Sequence, residues 1–154
     1  MKVILPGSYD PVTVGHLDVI RQAAATDDEA YVVVFRTPDK TYTFPLEDRV
    51  RMLTLATEDF SNVIVSYGLG FVIDYMREHG IGKIVKGYRN ETDLAYEKNM
   101  AKWNYEHGGY ETEFIECKPE FAGISSTLAR KRIAEGGDLS GILPPAVIAF
   151  LKNR

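Results

Sequence analysis

The chain of 154 residues has a single cysteine, Cys117, which excludes an internal disulfide framework and suits a reducing cytosol. It has no apolar run approaching the ~20 residues that a membrane-spanning helix needs, and no charged-then-apolar leader ahead of its first apolar stretch. A cytoplasmic protein that does not engage membranes is the expectation. Cationic excess is missing too: the net charge is −4, so no global basic field points to nucleic acid. There is no metal-ligand cluster and no obvious pairing of a nucleophile with a base. Repeats, linkers and low-complexity tracts are absent, so residues 1–154 read as one domain, long enough to bury a core of its own.

What the chain does have is concentrated in its first sixteen residues. Val3-Ile4-Leu5 is a short apolar run of the kind that forms a buried strand. It breaks at Pro6-Gly7, crosses Ser8-Tyr9-Asp10-Pro11, and reaches Thr13-Val14-Gly15-His16, where the amphipathic segment Leu17 to Ala25 begins. Strand, glycine-containing loop and helix start, in that order, put backbone N–H groups and a positive helix end where a phosphate can sit. His16 falls on the first helical turn, facing the same place.

The rest alternates. Strands are expected at Tyr31–Phe35, Val63–Val65, Lys83–Lys86 and around Phe114-Ile115. Helices are expected at Leu46–Glu58, Phe71–Glu78, Thr92–His107 and Ser125–Glu135, with a last short helix opened by Pro144-Pro145 that buries Val147, Phe150 and Leu151. Five strands each followed by a helix define an α/β fold with a parallel sheet and right-handed crossovers. Ligands of such sheets lie beyond the carboxyl ends of the strands. The segments there hold Ser8, His16, Arg36, Lys40, Lys86, Arg89, Lys118, Ser125 and Ser126, a gathering of basic and hydroxyl groups that favours a polyanion. Tyr96, Met100 and Trp103, at helical spacing, read as core or subunit contact. His79 and His107 read as helix-end or exposed residues, and Arg49 as an electrostatic brace of the rim.

The Gly7-Ser-Tyr-Asp-Pro11 and Thr13-x-Gly15-His16 segments resemble the paired signature of the nucleotidyltransferase superfamily with its (H/T)xGH motif. Further matches narrow the resemblance: Pro38-Asp-Lys40, Leu46-Glu-Asp-Arg-Val50, Lys86-Gly-Tyr-Arg89, Asp93, Tyr96-Glu97, Asn104, Ile124-Ser-Ser-Thr127, Gly137-Asp138 and Leu143-Pro144. Along its whole length the chain is similar to the bacterial phosphopantetheine adenylyltransferases. It departs from that pattern at Lys86, where the family has arginine, at Leu94-Ala95, Trp103 and Phe121-Ala122-Gly123, and at Thr127, which ends the serine triplet ahead of Arg130. The wider superfamily also transfers adenylyl to nicotinamide mononucleotide and cytidylyl to alcohol phosphates, and Thr127 with Arg130 fits that form. A nucleotide-sensing module without turnover is the remaining alternative.

The resemblance implies a single-domain, Rossmann-like, five-stranded parallel sheet with helices on both faces. It implies transfer of adenylyl from ATP to 4′-phosphopantetheine in coenzyme A synthesis, with Mg²⁺ delivered by ATP, CoA as a possible feedback ligand, and a homohexamer. By the same resemblance His16, Ser8, Lys40 and Arg89 are catalytic. Ser8, Tyr9, His16, Gly87, Tyr88, Arg89, Glu97 and the stretch Phe121, Ala122, Gly123, Ile124, Ser125, Ser126 and Thr127 bind ATP. Ser8, Lys40, Val72 and Lys86 bind the acceptor, and no protein group is assigned to a metal.

Overall fold

A computed structural model describes residues 1–154. Five parallel strands, β1 (Lys2–Gly7), β2 (Glu29–Arg36), β3 (Val63–Leu69), β4 (Lys83–Tyr88) and β5 (Thr112–Glu116), form one sheet in the order β3-β2-β1-β4-β5. The helices are α1 (Val14–Thr26), α2 (Leu46–Ala56), α3 (Val72–His79), α4 (Glu91–Gly108), α5 (Ser126–Glu135) and α6 (Pro145–Lys152). This is the Rossmann-like α/β architecture anticipated from the alternation. No helix is long and apolar enough to cross a membrane.

Strand periodicity divides the core in two. Side chains alternate across a pleated strand, so Val3 and Leu5 of β1, Val32 and Val34 of β2 and Val85 of β4 join one cluster with Ile20 of α1, Met52 and Leu53 of α2, Ala129 of α5 and Val147 of α6. Phe150 and Leu151 pack against the same cluster half-buried, as their helical spacing requires. Ile4, Val33 and Ile84 point to the opposite face, where Met76 of α3 meets them. Helices therefore cover both faces.

Element ends differ from the sequence expectation where tertiary contacts decide them. β3 continues past Val65 to Leu69 because β2 pairs with it as far as Arg36 opposite Leu69. α1 begins at Val14, one residue ahead of Gly15-His16, because Thr13 caps it: its Oγ1 accepts the His16 N–H at 3.3 Å while His16 Nδ1 accepts the Thr13 N–H at 3.0 Å. This is a capping box with histidine in the place usually filled by Glu or Gln. α4 decides between the two readings of its apolar spacing: of its 18 residues only Asn104 is buried, and Tyr96 and Met100 are 67% and 50% exposed, so they are not core. Their face lines a cavity rather than the sheet. Trp103 stacks between Phe71 at 5.0 Å and His107 at 4.0 Å, and both His79 and His107 are exposed with Nδ1 against the carbonyl one turn back.

One close approach sets the geometry of the site. A Cβ on Gly87 at the end of β4 would stand 2.6 Å from Val19 Cγ2, so α1 rests directly on the strand backbone. Gly87→Ala should overpack this contact and lower the unfolding free energy by about 1–3 kcal/mol. Urea denaturation of the variant, alone and with Val19→Ala, checks this: the second substitution makes room and restores part of the loss.

Candidate active site

β1 has β2 and β3 on one side and β4 and β5 on the other, so the crossovers diverge on either side of it and open a crevice at the carboxyl ends of β1 and β4. A cavity of about 360 Å³ occupies that crevice. It is lined by the end of β1 and its loop (Pro6, Gly7, Ser8, Tyr9), the start of α1 (Thr13, Gly15, His16), the end of β4 (Lys86, Gly87, Tyr88, Arg89), Asp93 and Glu97 of α4, Cys117, and Phe121, Ile124, Ser125, Ser126 and Thr127. The N-terminal turns of α1 and α5 thus converge on one space, each bringing the positive end of its dipole. In α1 the N–H groups of Val14 and His16 are taken by the Ile142 carbonyl and Thr13 Oγ1, which leaves that of Gly15. In α5 Ser125 takes that of Leu128, which leaves those of Ser126 and Thr127.

A second cavity of about 310 Å³ adjoins the first. Pro6, Gly7, Ser8, Lys86 and Glu97 line both, so they form the shared wall. Beyond that wall lie Lys40, Thr37 and Tyr42 of the loop after β2, Phe35, Val72, Ile84, Met100 and Ala101, and the polar Asn104 and Thr112. Asn104 is 8% exposed, and the Thr112 hydroxyl is buried without any hydrogen-bond partner.

The His16 ring is held through Nδ1. A backbone N–H can only donate, so Nδ1 is the bare nitrogen of a neutral ring and Nε2 carries the hydrogen as a donor. Burial, with the positive charges of Lys86 and Arg89 adding to it, lowers its pKa to about 4. Tyr9 is the single non-glycine residue with positive φ, at 45°. Its ring folds back against Gly7, its hydroxyl donates to the Leu5 carbonyl at 2.9 Å, and burial pushes the phenol above its usual pKa. Tyr9 therefore shapes the loop with its hydroxyl occupied. Burial raises the Cys117 thiol above its usual pKa, which disfavours the thiolate.

The cations are held in place. Lys86 Nζ donates to the Pro6 carbonyl at 3.2 Å and lies 3.5 Å from Glu97. Arg89 donates to Asp93 through Nε at 2.8 Å and Nη2 at 3.2 Å, and its backbone N–H reaches the same carboxylate. Glu97, expected on the ATP side, thus sits on the wall between the cavities as the partner of Lys86. In α5 the hydroxyls are engaged: Ser125 caps the Leu128 N–H, Ser126 donates to the Pro11 carbonyl, and Thr127 accepts from Arg130. First-turn N–H groups remain as the donors of that helix.

All of the anticipated residues except Ala122 and Gly123 line one cavity or the other. Those two are exposed and turn away, because the one-turn 3₁₀ segment at Pro119–Phe121 brings Phe121 inward and sends the next two residues to solvent. Arg36 and Lys118 of the basic rim also stay out of both cavities. Lys118 pairs instead with the fully buried Asp18 at 3.6 Å. Arg49 lies deeper than the rim: it is 1% exposed and donates to the carbonyls of Ser8 and Phe44.

Asp10, Thr13 and Asp93 support the site without having been assigned a part in it. The spacing Thr13-x-x-His16 held the signal for a capping box, and Arg89-x-x-x-Asp93 for an i,i+4 pair. Nothing local marks Asp10, whose carboxylate accepts the N–H groups of Thr43 and Phe44 from across the chain.

A crevice at the switch point of a parallel sheet, with two helix N-termini and held cations around it, defines a protein that handles nucleoside phosphates. The chain belongs to the cytidylyltransferase-like family, which matches residues 4–132. It is a nucleotidyltransferase.

Because the folded pKa of His16 is about 4, below the unfolded value near 6.5, the native state disfavours the charged ring. Its contribution to stability is full above about pH 6.5 and is lost as pH falls from there towards 4. The NMR resonance identified by its loss in His16→Asn should titrate near 4. The wild-type advantage in unfolding free energy over that variant should shrink through the same pH window.

Proposed function

We propose that the protein transfers the adenylyl group of ATP to 4′-phosphopantetheine, giving dephospho-CoA and pyrophosphate. The observation that carries this reading is the pair of cavities meeting at Ser8, Lys86 and Glu97. The first suits a nucleoside triphosphate. The second offers two lysines, Lys40 and Lys86, to an acceptor phosphate, then an apolar floor with Asn104 and an unpartnered Thr112 hydroxyl. A phosphate at one end of a chain that carries amides fits that sequence of surfaces. The whole-length resemblance supports the same acceptor.

In this reading an oxygen of the acceptor phosphate attacks the α-phosphorus of ATP, the bond from that phosphorus to the bridging oxygen breaks, and pyrophosphate leaves. The acceptor monoester is largely dianionic at neutral pH, its second pKa being about 6, so no general base is needed. Catalysis is then in-line positioning and stabilisation of charge on phosphoryl oxygens. His16 supplies Nε2–H to the α-phosphate, Arg89 and the helix starts hold the triphosphate, and Lys40 and Lys86 hold the acceptor phosphate. Mg²⁺ would arrive on ATP to neutralise its phosphates. Asp93 and Glu97, the carboxylates that line the first cavity, are each engaged by a cation.

The rival acceptors drew on Thr127 and Arg130. Arg130 donates to the Asp10 carbonyl at 2.9 Å and to the Thr127 hydroxyl, so in this reading it braces the loop after β1.

Pyrophosphate release with ATP or CTP against phosphopantetheine, nicotinamide mononucleotide and glycerol 3-phosphate tests the proposal. The highest kcat/KM is expected for ATP with phosphopantetheine, and a higher value for any other pair overturns it. His16→Ala should lower kcat by about 10²–10³ with ATP affinity largely kept, as measured by turnover and by calorimetric titration. Lys40→Ala should raise the KM of the acceptor far more than that of ATP, and the reverse pattern would exchange the two cavities.

A further inference from the structure

Lys40 stands in a loop without regular structure, and its side chain is exposed. A flexible ammonium in that position places an acceptor phosphate poorly unless something fixes the loop. The contacts that fix it run through Tyr42. The Tyr42 hydroxyl accepts the Thr37 N–H at 3.0 Å, and the Lys40 N–H donates to the Thr37 carbonyl at 3.1 Å, so the loop is closed on itself around the lysine. Lys40 Nζ lies 5.5 Å from the centre of the Tyr42 ring, within reach of its π face. Arg49 Cζ lies 3.9 Å from the same centre. Arg49 in turn donates to the Ser8 carbonyl at 2.9 Å. One half-buried ring therefore joins the ammonium of the second cavity to the backbone of the wall between the cavities.

We propose that Tyr42 is the positioning residue for Lys40, holding the acceptor loop in register with the Ser8 loop through Arg49. The inference rests on the acceptor reading given above and extends it to a residue outside the phosphate-binding set. The part assigned to Tyr42 is to place the ammonium, not to bond the reacting phosphates. It confines the Lys40 ammonium to the volume beside Ser8 and Lys86, so its loss weakens the acceptor complex while leaving the nucleotide cavity as it was.

The test compares Tyr42→Phe, Tyr42→Leu and each of these with Lys40→Ala in the full chain, varying ATP and phosphopantetheine separately. Tyr42→Leu should raise the acceptor KM about tenfold, with the KM of ATP within about twofold. Tyr42→Phe keeps the ring and should recover most of that loss, while the Thr37 amide, deprived of its acceptor, exchanges with solvent about tenfold faster by NMR. In the Lys40→Ala background Tyr42→Leu should add little, because its effect passes through the lysine. An acceptor KM within about twofold of wild type, equal rises in both KM values, or an undiminished Tyr42→Leu effect without Lys40 overturns the proposal. If Tyr42→Leu does not fold, Tyr42→Gln takes its place in the cycle. Wild-type protein that fails to use phosphopantetheine overturns the acceptor reading instead. The Thr37 exchange, and the same cycle on the acceptor that is used, then decide the part of Tyr42.

Discussion

Everything at the site depends on the parting of β1 from β4. The two strands pair only at Val3 with Lys83 and Ile4 with Ile84, whereas β1 pairs with β2 along its whole length. Beyond Ile4 and Ile84 the carboxyl ends separate, and the hydrogen bonds that a ladder would have made are replaced by one side chain, Lys86, reaching across to the Pro6 carbonyl. That replacement leaves a polar gap at the middle of an otherwise apolar sheet. Gly87 lets α1 settle against β4, so the first turn of α1 sits over the gap instead of being held away by a side chain. The crevice and its donors are consequences of one interrupted strand pair.

Electrostatics inside the gap follow from what is desolvated and what is not. Lys86 with Glu97 and Arg89 with Asp93 are pairs of intermediate exposure, of a kind whose net worth is about 0–1 kcal/mol. They order the cations at little energetic depth, and a polyphosphate can compete with the carboxylates for them. His16 is different. Its neutrality is favoured by burial first, then by the two cations nearby, and the Thr13 N–H pointed at Nδ1 fits the neutral ring. A donor fixed in this way presents a hydrogen to a developing negative charge without first having to lose or gain a proton.

Much of this was legible in the residues. Strand and helix alternation gave the sheet, and the loop after Leu5 located the crevice, because apolar periodicity and glycine placement are local properties of sequence. What the residues left open is non-local. Tyr96 and Met100 have a helical spacing that fits core or subunit contact alike; α4 lies with that face over a cavity, a fact decided by how α4 crosses β4 and not by its own pattern. Ala122 and Gly123 fall inside a contiguous motif, yet a single 3₁₀ turn rotates them out of it. Serine hydroxyls at 125 and 126 suggest ligand contacts, and the fold spends them on a helix cap and on the Pro11 carbonyl 115 residues away.

Arg49 is the clearest instance of a residue whose role only the assembled fold defines. From sequence it is one cation among several on an amphipathic helix; in the fold it is fully buried, with Asp10, 5% exposed, as the compensating charge nearby. Its donors satisfy the carbonyls of Ser8 and Phe44, and its plane meets the Tyr42 ring. A lysine could supply the charge but not a flat group that donates along its edge and stacks on its face at once. Asp10 completes the tie from the other side by accepting the N–H groups of Thr43 and Phe44, while Arg130 holds the Asp10 carbonyl to α5. The loop after β1, the loop after β2 and the start of α5 are thus one bonded unit. Because leaving a buried carbonyl or N–H unpaired costs about 1–3 kcal/mol, these ties, none of which uses the Tyr42 side chain, oppose the displacement of any backbone group they hold. That mutual constraint fixes three separate loops into the walls of two adjoining cavities.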